Sequence, residues 1–410
     1  MSKPEVRETI TGYDLQWKPE NITIRASRLQ AHSSDGRVTG EIIISRTGND
    51  RPIYPPTSVN FSSDRTRSSL IKTLSDLDNE IDWSAIINQL SVAIIERARE
   101  GEPVRELWTN ATDIEPPKFV LEPLLYEGLP TIIFGEKAVC KSTISIAIYA
   151  CLILPWTDNT LGWRTPEKST IPLLCDYEAD YKIAQYNAKR LQQGMNLTPF
   201  PVYHRRCTLP LADDIEQLKR HIDRIGATAI IIDSLGPAVG GDLKEASQAL
   251  RFTTAVRQLN CSTLVIGQTS KDRENKHKSV FGSTYFEYYA RNLYELRKVQ
   301  EEGEDDIDLA LYNTYCNLGR RTPAQGFHIS FTDQGTRIES QAITAPELVE
   351  RLGTQNRILK ALREEPIGAK ELAEMLGIAS NTVRQSLKRM KSKGLVIKVD
   401  DRWGIVDKDV

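Results

Sequence analysis

The sequence predicts an α/β protein built on a doubly wound, mainly parallel sheet, with an α+β region before it and a small helical module after it. Three observations carry this. Between residues 118 and 340, short all-apolar runs alternate with amphipathic helical runs, the pattern of parallel strands covered on both faces. Before residue 115, apolar and polar residues alternate with a period of two, then give way to one helical stripe. After residue 354, three helical runs lead into a short β-hairpin pattern.

The 410 residues have room for two or three domains. We expect boundaries at 1–115, 116–340 and 354–410, with linkers at 109–117 and 341–353. Lys and Arg number 53 against 55 Asp and Glu, a formal net charge of −2, so a nucleic-acid partner must be sought in local patches. The six cysteines, at 140, 151, 175, 207, 261 and 316, show no C-x-x-C spacing and read as reduced, largely buried thiols. No signal peptide or membrane span is expected, which points to the cytoplasm.

In the first region, Ile22 to Leu29 and Val38 to Ser45 alternate around a Ser-Ser-Asp-Gly turn and predict a hairpin. Trp83 to Arg99 carries Ile86, Ile87, Leu90, Val92, Ala93 and Ile95 at helical spacing, with Asp82 as the N-cap. No catalytic constellation is visible here, and an accessory or oligomerisation module is the simplest reading.

The central region opens on an apolar strand, Thr131 to Phe134, a tight loop from Gly135, and a helix from Lys141. Strand, loop and helix with Gly135, Lys141 and Ser142 meet G-x-x-x-x-G-K-[ST] except at one position, where Cys140 replaces the second glycine. Gly135, Glu136, Lys137, Ala138, Val139, Cys140, Lys141, Ser142 and Thr143 would then wrap a phosphate with backbone N–H groups and the positive end of the helix dipole. Lys141 would reach the β- and γ-phosphates of ATP, and the Ser142 hydroxyl would ligate Mg²⁺. An ordinary strand-turn-helix with a chance Lys-Ser has the same outline. A Cβ at position 140 costs on the order of 1–3 kcal/mol if the glycine-like backbone is kept. It either strains the loop or moves the amides, so weak turnover with intact binding is expected, unless the loop is re-formed around the cysteine.

Later apolar strands end in polar residues. The run from Ile171 ends in Asp176 and Glu178, that from Ala227 in Asp233, and that from Ser262 in Gln268. Helices are expected at Tyr181 to Gln193, Ile215 to Ile225 and Ala246 to Leu259. In parallel sheets ligands bind at the C-terminal ends of the strands, where Gly135, Glu178, Asp233 and Gln268 all fall. Asp233 could hold Mg²⁺, Glu178 could activate water, and Gln268 could sense the γ-phosphate. Any one of these alone is equally a helix cap or a solvated strand end. The loop after Gln268 carries Lys271, Arg273, Lys276 and Lys278, which could grip a DNA backbone or be a solvated surface. Gly236 to Asp242 reads as a second flexible loop on the same rim.

These residues resemble the RecA-like hexameric ATPases, in particular the RepA-type replicative helicase branch. The resemblance rests on Gly135 to Thr143, Asp176 to Glu178, Asp233 to Pro237, Lys271, Phe281 to Ser283, Phe286 to Leu296, Asn317 to Pro323 and Gly326 to Phe331. It implies a homo-oligomer, either a hexameric ring or a filament. Nucleotide would lie between subunits, with an arginine finger supplied in trans by Arg291, Arg320 or Arg321. It also implies replication or mobile-element partner proteins. Gln268 stands where this branch often shows His, and Tyr315 where relatives usually place Lys.

In the last region, Asn356 to Arg363 and Ala369 to Gly377 form two helices, and Ser380 is expected to cap a third running to Gly394. Leu395 to Val399 and Arg402 to Val406 form a hairpin around Asp400 and Asp401. This order closely resembles a winged helix-turn-helix. Its third helix would enter the major groove with Asn381, Thr382, Arg384, Gln385, Lys388 and Arg389 outward, while Val383, Leu387 and Met390 pack inward. The module has twelve Lys and Arg against eight Asp and Glu, a net of +4 on a chain that is net negative. Many such modules bind protein instead of DNA. The sequence therefore points to a DNA-associated ATPase, with a weakly hydrolysing, nucleotide-sensing DNA-binding regulator as the alternative.

Overall fold

A computed structural model of the chain describes all residues except 1–2, 10, 33, 102–103, 105, 108–114, 155, 167, 270–278, 283, 301–302, 350–351 and 407–410. Most of the expected linker at 109–117 lies outside the described residues. The chain divides into two units.

The first unit takes in Met1–Pro116 together with Leu209–Thr228 and Thr254–Asn260. Its sheet is antiparallel and sequential: β1 (Glu5–Thr9), β2 (Gly12–Trp17), β3 (Ile22–Ala31), β4 (Val38–Arg46) and β5 (Asn49–Asn60). The expected hairpin is β3 and β4. Helices α1 (Asp64–Leu77) and α2 (Trp83–Glu100) follow. The Asp82 carboxylate caps α2 by accepting from the Ala85 N–H, as the sequence predicts. Ile86, Ile87, Leu90 and Ile94 of α2 pack into one core with Trp17, Ile22, Ile24 and Ile42. Val92, assigned to that stripe, points outward instead and is exposed.

The second unit opens with a short hairpin, β6 (Phe119–Leu121) and β7 (Leu125–Tyr126), before β8 (Pro130–Gly135) and α3 (Lys141–Ile153). Then come β9 (Pro172–Asp176), α4 (Tyr181–Gly194) and β10 (Tyr203–Arg206). The next helix, α5 (Leu211–Ile225), belongs to the first unit, where Arg220 pairs with Glu41 at 2.8 Å. It starts four residues earlier than the apolar spacing suggested, directly after Pro210. The chain continues through β11 (Ala229–Asp233), α6 (Leu235–Val239), α7 (Ala246–Gln258), β12 (Ser262–Gln268), α8 (Tyr285–Tyr289) and β13 (Asn292–Val299). Three antiparallel strands, β14 (Asp306–Cys316), β15 (Gln325–Thr332) and β16 (Gly335–Gln341), complete a sheet of order β10-β9-β11-β12-β8-β13-β14-β15-β16. The six strands from β10 to β13 are parallel. Every residue of α3 from Ile144 to Ile153 is buried, so this helix is apolar all round and sits in the core with Ile133, Leu174, Ile231 and Leu264.

Two expectations change here. The stretch from Gly236 is not a flexible loop but largely helix α6, closed by Gly240 in a left-handed turn at φ 71°. Residues 341–353 hold α9 (Pro346–Val349), whose Leu348 is buried against Ala310 and Tyr312; the Tyr312 hydroxyl donates to the Leu348 carbonyl. The C-terminal module follows as α10 (Thr354–Glu364), β17 (Ile367–Gly368), α11 (Ala369–Leu376), α12 (Ser380–Ser392), β18 (Val396–Val399) and β19 (Arg402–Ile405).

Candidate active site and nucleic-acid interface

Strand β8 delivers Gly135 to the carboxyl end of the sheet. A Cβ there would lie 2.6 Å from the Leu296 carbonyl oxygen and 2.8 Å from a Val139 methyl, so the position admits only glycine. Glu136, Lys137 and Ala138 are exposed, and Val139 turns back into the core. Two left-handed residues, Ala138 (φ 61°) and Cys140 (φ 59°), curl the loop into α3. Cys140 thus keeps the conformation a glycine would supply, at a side chain's cost. Its half-buried side chain packs against the core, and burial pushes the thiol pKa up. No side chain caps α3, which leaves its first-turn amides for an anion.

The Lys141 ammonium donates to the carbonyls of Gly135 at 3.1 Å and Glu136 at 2.5 Å. A phosphate would take over these contacts. Burial lowers its pKa, while the Asp233 and Glu178 carboxylates oppose that shift. The Ser142 hydroxyl donates to Asp233 Oδ2 at 2.8 Å. Burial pushes Asp233 up to about 6; the Ser142 hydrogen bond opposes this, and the Glu178 and Asp176 charges add to it. The Lys141 charge offsets this shift only in part, and a hard hydroxyl beside a buried carboxylate fits Mg²⁺.

Glu178 lies just beyond β9. One of its oxygens accepts from the Ser234 hydroxyl, and its backbone N–H donates to Asp176 at 3.0 Å. Asp176 also accepts from Ala179 N–H at 2.7 Å and sits 3.3 Å from His204 Nε2. Gln268 is exposed and stands opposite Gly135 in the β12–β8 register. The fold therefore gathers Gly135, Lys141, Ser142, Glu178, Asp233 and Gln268 at one end of four neighbouring parallel strands.

Arg291 is not among them. Its N–H bonds to the Pro130 carbonyl at the opposite end of β8, and Asn317 N–H bonds to the Arg291 carbonyl. Five residues of strand, roughly 17 Å, separate that end from Gly135. Arg320 and Arg321 follow the same end of β14.

Sequence reasoning gave Ser234, within the Asp233 to Pro237 stretch, no role of its own, and missed His204, a lone histidine on a four-residue strand that carries no motif. It also missed a cavity of about 330 Å³ beside Thr143, lined by Ile146, Tyr186, Arg190, Phe331 and Thr336. Arg190 sits over the Tyr186 ring at 5.7 Å and donates to the Gly335 carbonyl.

In the C-terminal module, Ile358, Leu362, Leu372, Val383, Leu387 and Met390 form the core. Asn381, Thr382, Arg384, Gln385, Lys388 and Arg389 are exposed on α12, as their spacing predicts. Ser380 does not cap the helix. Ala379 occupies the N-cap without a side-chain bond, and Ser380 is the first helical residue. Lys271, Arg273, Lys276 and Lys278 lie outside the described residues, as does Ser283.

Fold and loop together define the class: a doubly wound, largely parallel α/β core with a P-loop-patterned strand-loop-helix, followed by a winged helix-turn-helix. Residues 96–274 match the family model of an AAA domain. Residues 353–398 match that of bacterial regulatory proteins of the arsR family. No curated protein matches the chain. Among solved structures, a KaiC-like protein from the hyperthermophilic archaeon Pyrococcus horikoshii is similar at 13% identity, covering 58% of this chain and 100% of its own, with a TM-score of 0.38. Among the described residues, no helix is long and apolar enough to cross a membrane.

Proposed function

We propose that the chain is a DNA-associated ATPase that binds Mg-ATP at the loop 135–143 and hydrolyses it. The observation that carries this reading is the meeting of Ser142 and Asp233 at 2.8 Å, at the sheet end that also holds Lys141, Glu178 and Gln268. Loop amides and Lys141 bind the phosphates. Ser142 and Asp233 would hold Mg²⁺, which when bound offsets negative charge on the phosphate oxygens. The second carboxylate oxygen of Glu178 takes a proton from water, and Gln268 orients the terminal phosphate. The cavity of Thr143, Tyr186, Arg190 and Phe331 takes the base, with Tyr186 and Arg190 offering flat surfaces for stacking.

Arg291 lies at the sheet end away from its own loop, and Arg320 and Arg321 follow that end of β14, so a finger drawn from them would act on another copy's site. That supports a ring or filament with a finger in trans, in the manner of the RepA-type helicase branch. The exposed basic face of α12 supports duplex DNA as the partner. On this reading the chain is a helicase-like motor, a loader or a remodeller in replication, plasmid or phage maintenance, recombination or defence, working with partner proteins of those pathways. Tyr315, standing where relatives usually place Lys, favours a second reading, a regulator that binds ATP and turns it over slowly. Phosphate release with and without duplex DNA, for wild type and Lys141→Ala, tests both. DNA-stimulated release lost in Lys141→Ala is expected. ATP binding without release selects the regulator, and absence of ATP binding sinks both.

A further inference from the structure

We propose that Ser234 is a positioning residue for the water-activating carboxylate. The inference rests on the reading of Glu178 as general base, and adds what fixes that base in place. Glu178 is exposed, and an exposed glutamate samples many rotamers, a freedom worth roughly 1.5–2 kcal/mol. It also borders a cavity of about 260 Å³, whose wall includes Arg206, Thr208 and Pro237. Without restraint the carboxylate could swing into that space toward the Arg206 guanidinium, away from the loop.

Two contacts prevent this. Asp176 fixes the turn from below: one oxygen accepts from the N–H groups of Glu178 and Ala179, and the other faces His204 Nε2 at 3.3 Å. Ser234 fixes the carboxylate itself by donating its hydroxyl to Oε1. Ser234 is only 3% exposed, so its hydroxyl has few other partners to turn to. It occupies the N-cap of α6, where a serine oxygen ordinarily accepts from the helix's own amides; here no such cap bond forms, and the hydroxyl is committed to Glu178. One oxygen is thereby tethered and the other left to accept from water, the geometry a general base requires. Asp233, the adjacent residue, meets Ser142, so one strand end sets both the metal-site carboxylate and the tether of the base.

Steady-state ATP hydrolysis by the full chain, with duplex DNA present, tests this in Ser234→Ala, Ser234→Thr, Glu178→Gln and Ser234→Ala/Glu178→Gln. Ser234→Ala is expected to lower kcat about tenfold while KM and ATP affinity stay within about twofold, because the tether acts on orientation and not on phosphate binding. Ser234→Thr, which keeps the hydroxyl, should retain most of the activity. In the Glu178→Gln background Ser234→Ala should cause no further loss. Wild-type kcat in Ser234→Ala overturns the proposal, as does an equal loss in Ala and Thr or a parallel loss of ATP binding. If Glu178→Gln itself keeps wild-type kcat, the general-base reading falls first, and that outcome is distinct from failure of the tether alone.

Discussion

Ser142 and Asp233, separated by 91 positions in the chain, meet at 2.8 Å, hydroxyl to carboxylate. Ser142 stands in the first turn of α3 and Asp233 ends β11, so the contact exists only because the sheet brings β8 and β11 to the same edge with one strand between them. The price is a buried carboxylate: burial holds Asp233 near 6 instead of 3.8.

The sign of the resulting pH dependence follows directly. Between 3.8 and about 6 the folded chain keeps a proton on Asp233 that the unfolded chain has released. This group's contribution to stability is therefore greatest at low pH, declines as pH rises through that window, and is level and unfavourable above it. Asp233→Asn should stabilise the metal-free protein at pH 7.5 by on the order of 1–3 kcal/mol, seen as a higher melting temperature, and flatten the slope between pH 4 and 6. The same variant should lose Mg²⁺-dependent ATP binding in calorimetry. In wild type, Mg²⁺ affinity should fall about tenfold per pH unit below 6, since the metal competes with one proton. A lower melting temperature for Asp233→Asn would show that the buried charge is already compensated.

The outward face of α12 predicts how DNA affinity responds to salt. Arg384, Lys388 and Arg389 are exposed along one helix whose opposite face, Val383, Leu387 and Met390, is fully buried. Replacing Lys388 by Ala in the full chain should leave the fold intact, weaken duplex binding for all sequences alike, and flatten the log-affinity against log-salt slope by about one unit. Replacing Arg384, nearer the helix start, should instead relax preference between sequences. Fluorescence anisotropy at several salt concentrations checks both. An unchanged slope for Lys388→Ala would place the DNA elsewhere.

What was legible in the sequence follows from period and spacing. All-apolar strands with polar ends announced β8, β9, β11 and β12 and their shared edge, because burial on both faces of a parallel sheet leaves no other composition. Asp82 as a cap, and the inward set Val383, Leu387 and Met390, were read from local rules that tertiary structure did not override. Other elements were silent for physical reasons. Helix α1 buries only Leu70 and Leu74 and so has almost no stripe. Helix α6 is five residues containing Gly236 and Pro237, a composition indistinguishable from a turn. The tether from Ser234 and the Asp176–His204 pair are contacts between strand neighbours far apart in sequence, and no spacing rule encodes them.

Cys140 is the remaining departure, and the backbone now distinguishes its two consequences. The residue sits at φ 59° and ψ 28°, the left-handed turn a glycine would adopt, and the loop amides keep their course into α3. The side chain therefore stores strain, on the order of 1–2 kcal/mol, without moving the groups that meet phosphate. Cys140→Gly relieves that strain but adds freedom to the unfolded chain, worth roughly 0.5–1 kcal/mol, and removes the packing of the thiol against the core. The expected result is a melting temperature within a few degrees of wild type and a kcat changed less than about threefold, since strain common to ground and transition states cancels from the barrier. Cys140→Val, with a branched Cβ at positive φ, should lose ATP binding and stability together. Thermal melts and phosphate-release assays on the two variants decide the point. A rise in kcat of tenfold or more in Cys140→Gly would mean about 1.4 kcal/mol of misaligned amides in the native loop, and that the cysteine itself restrains turnover.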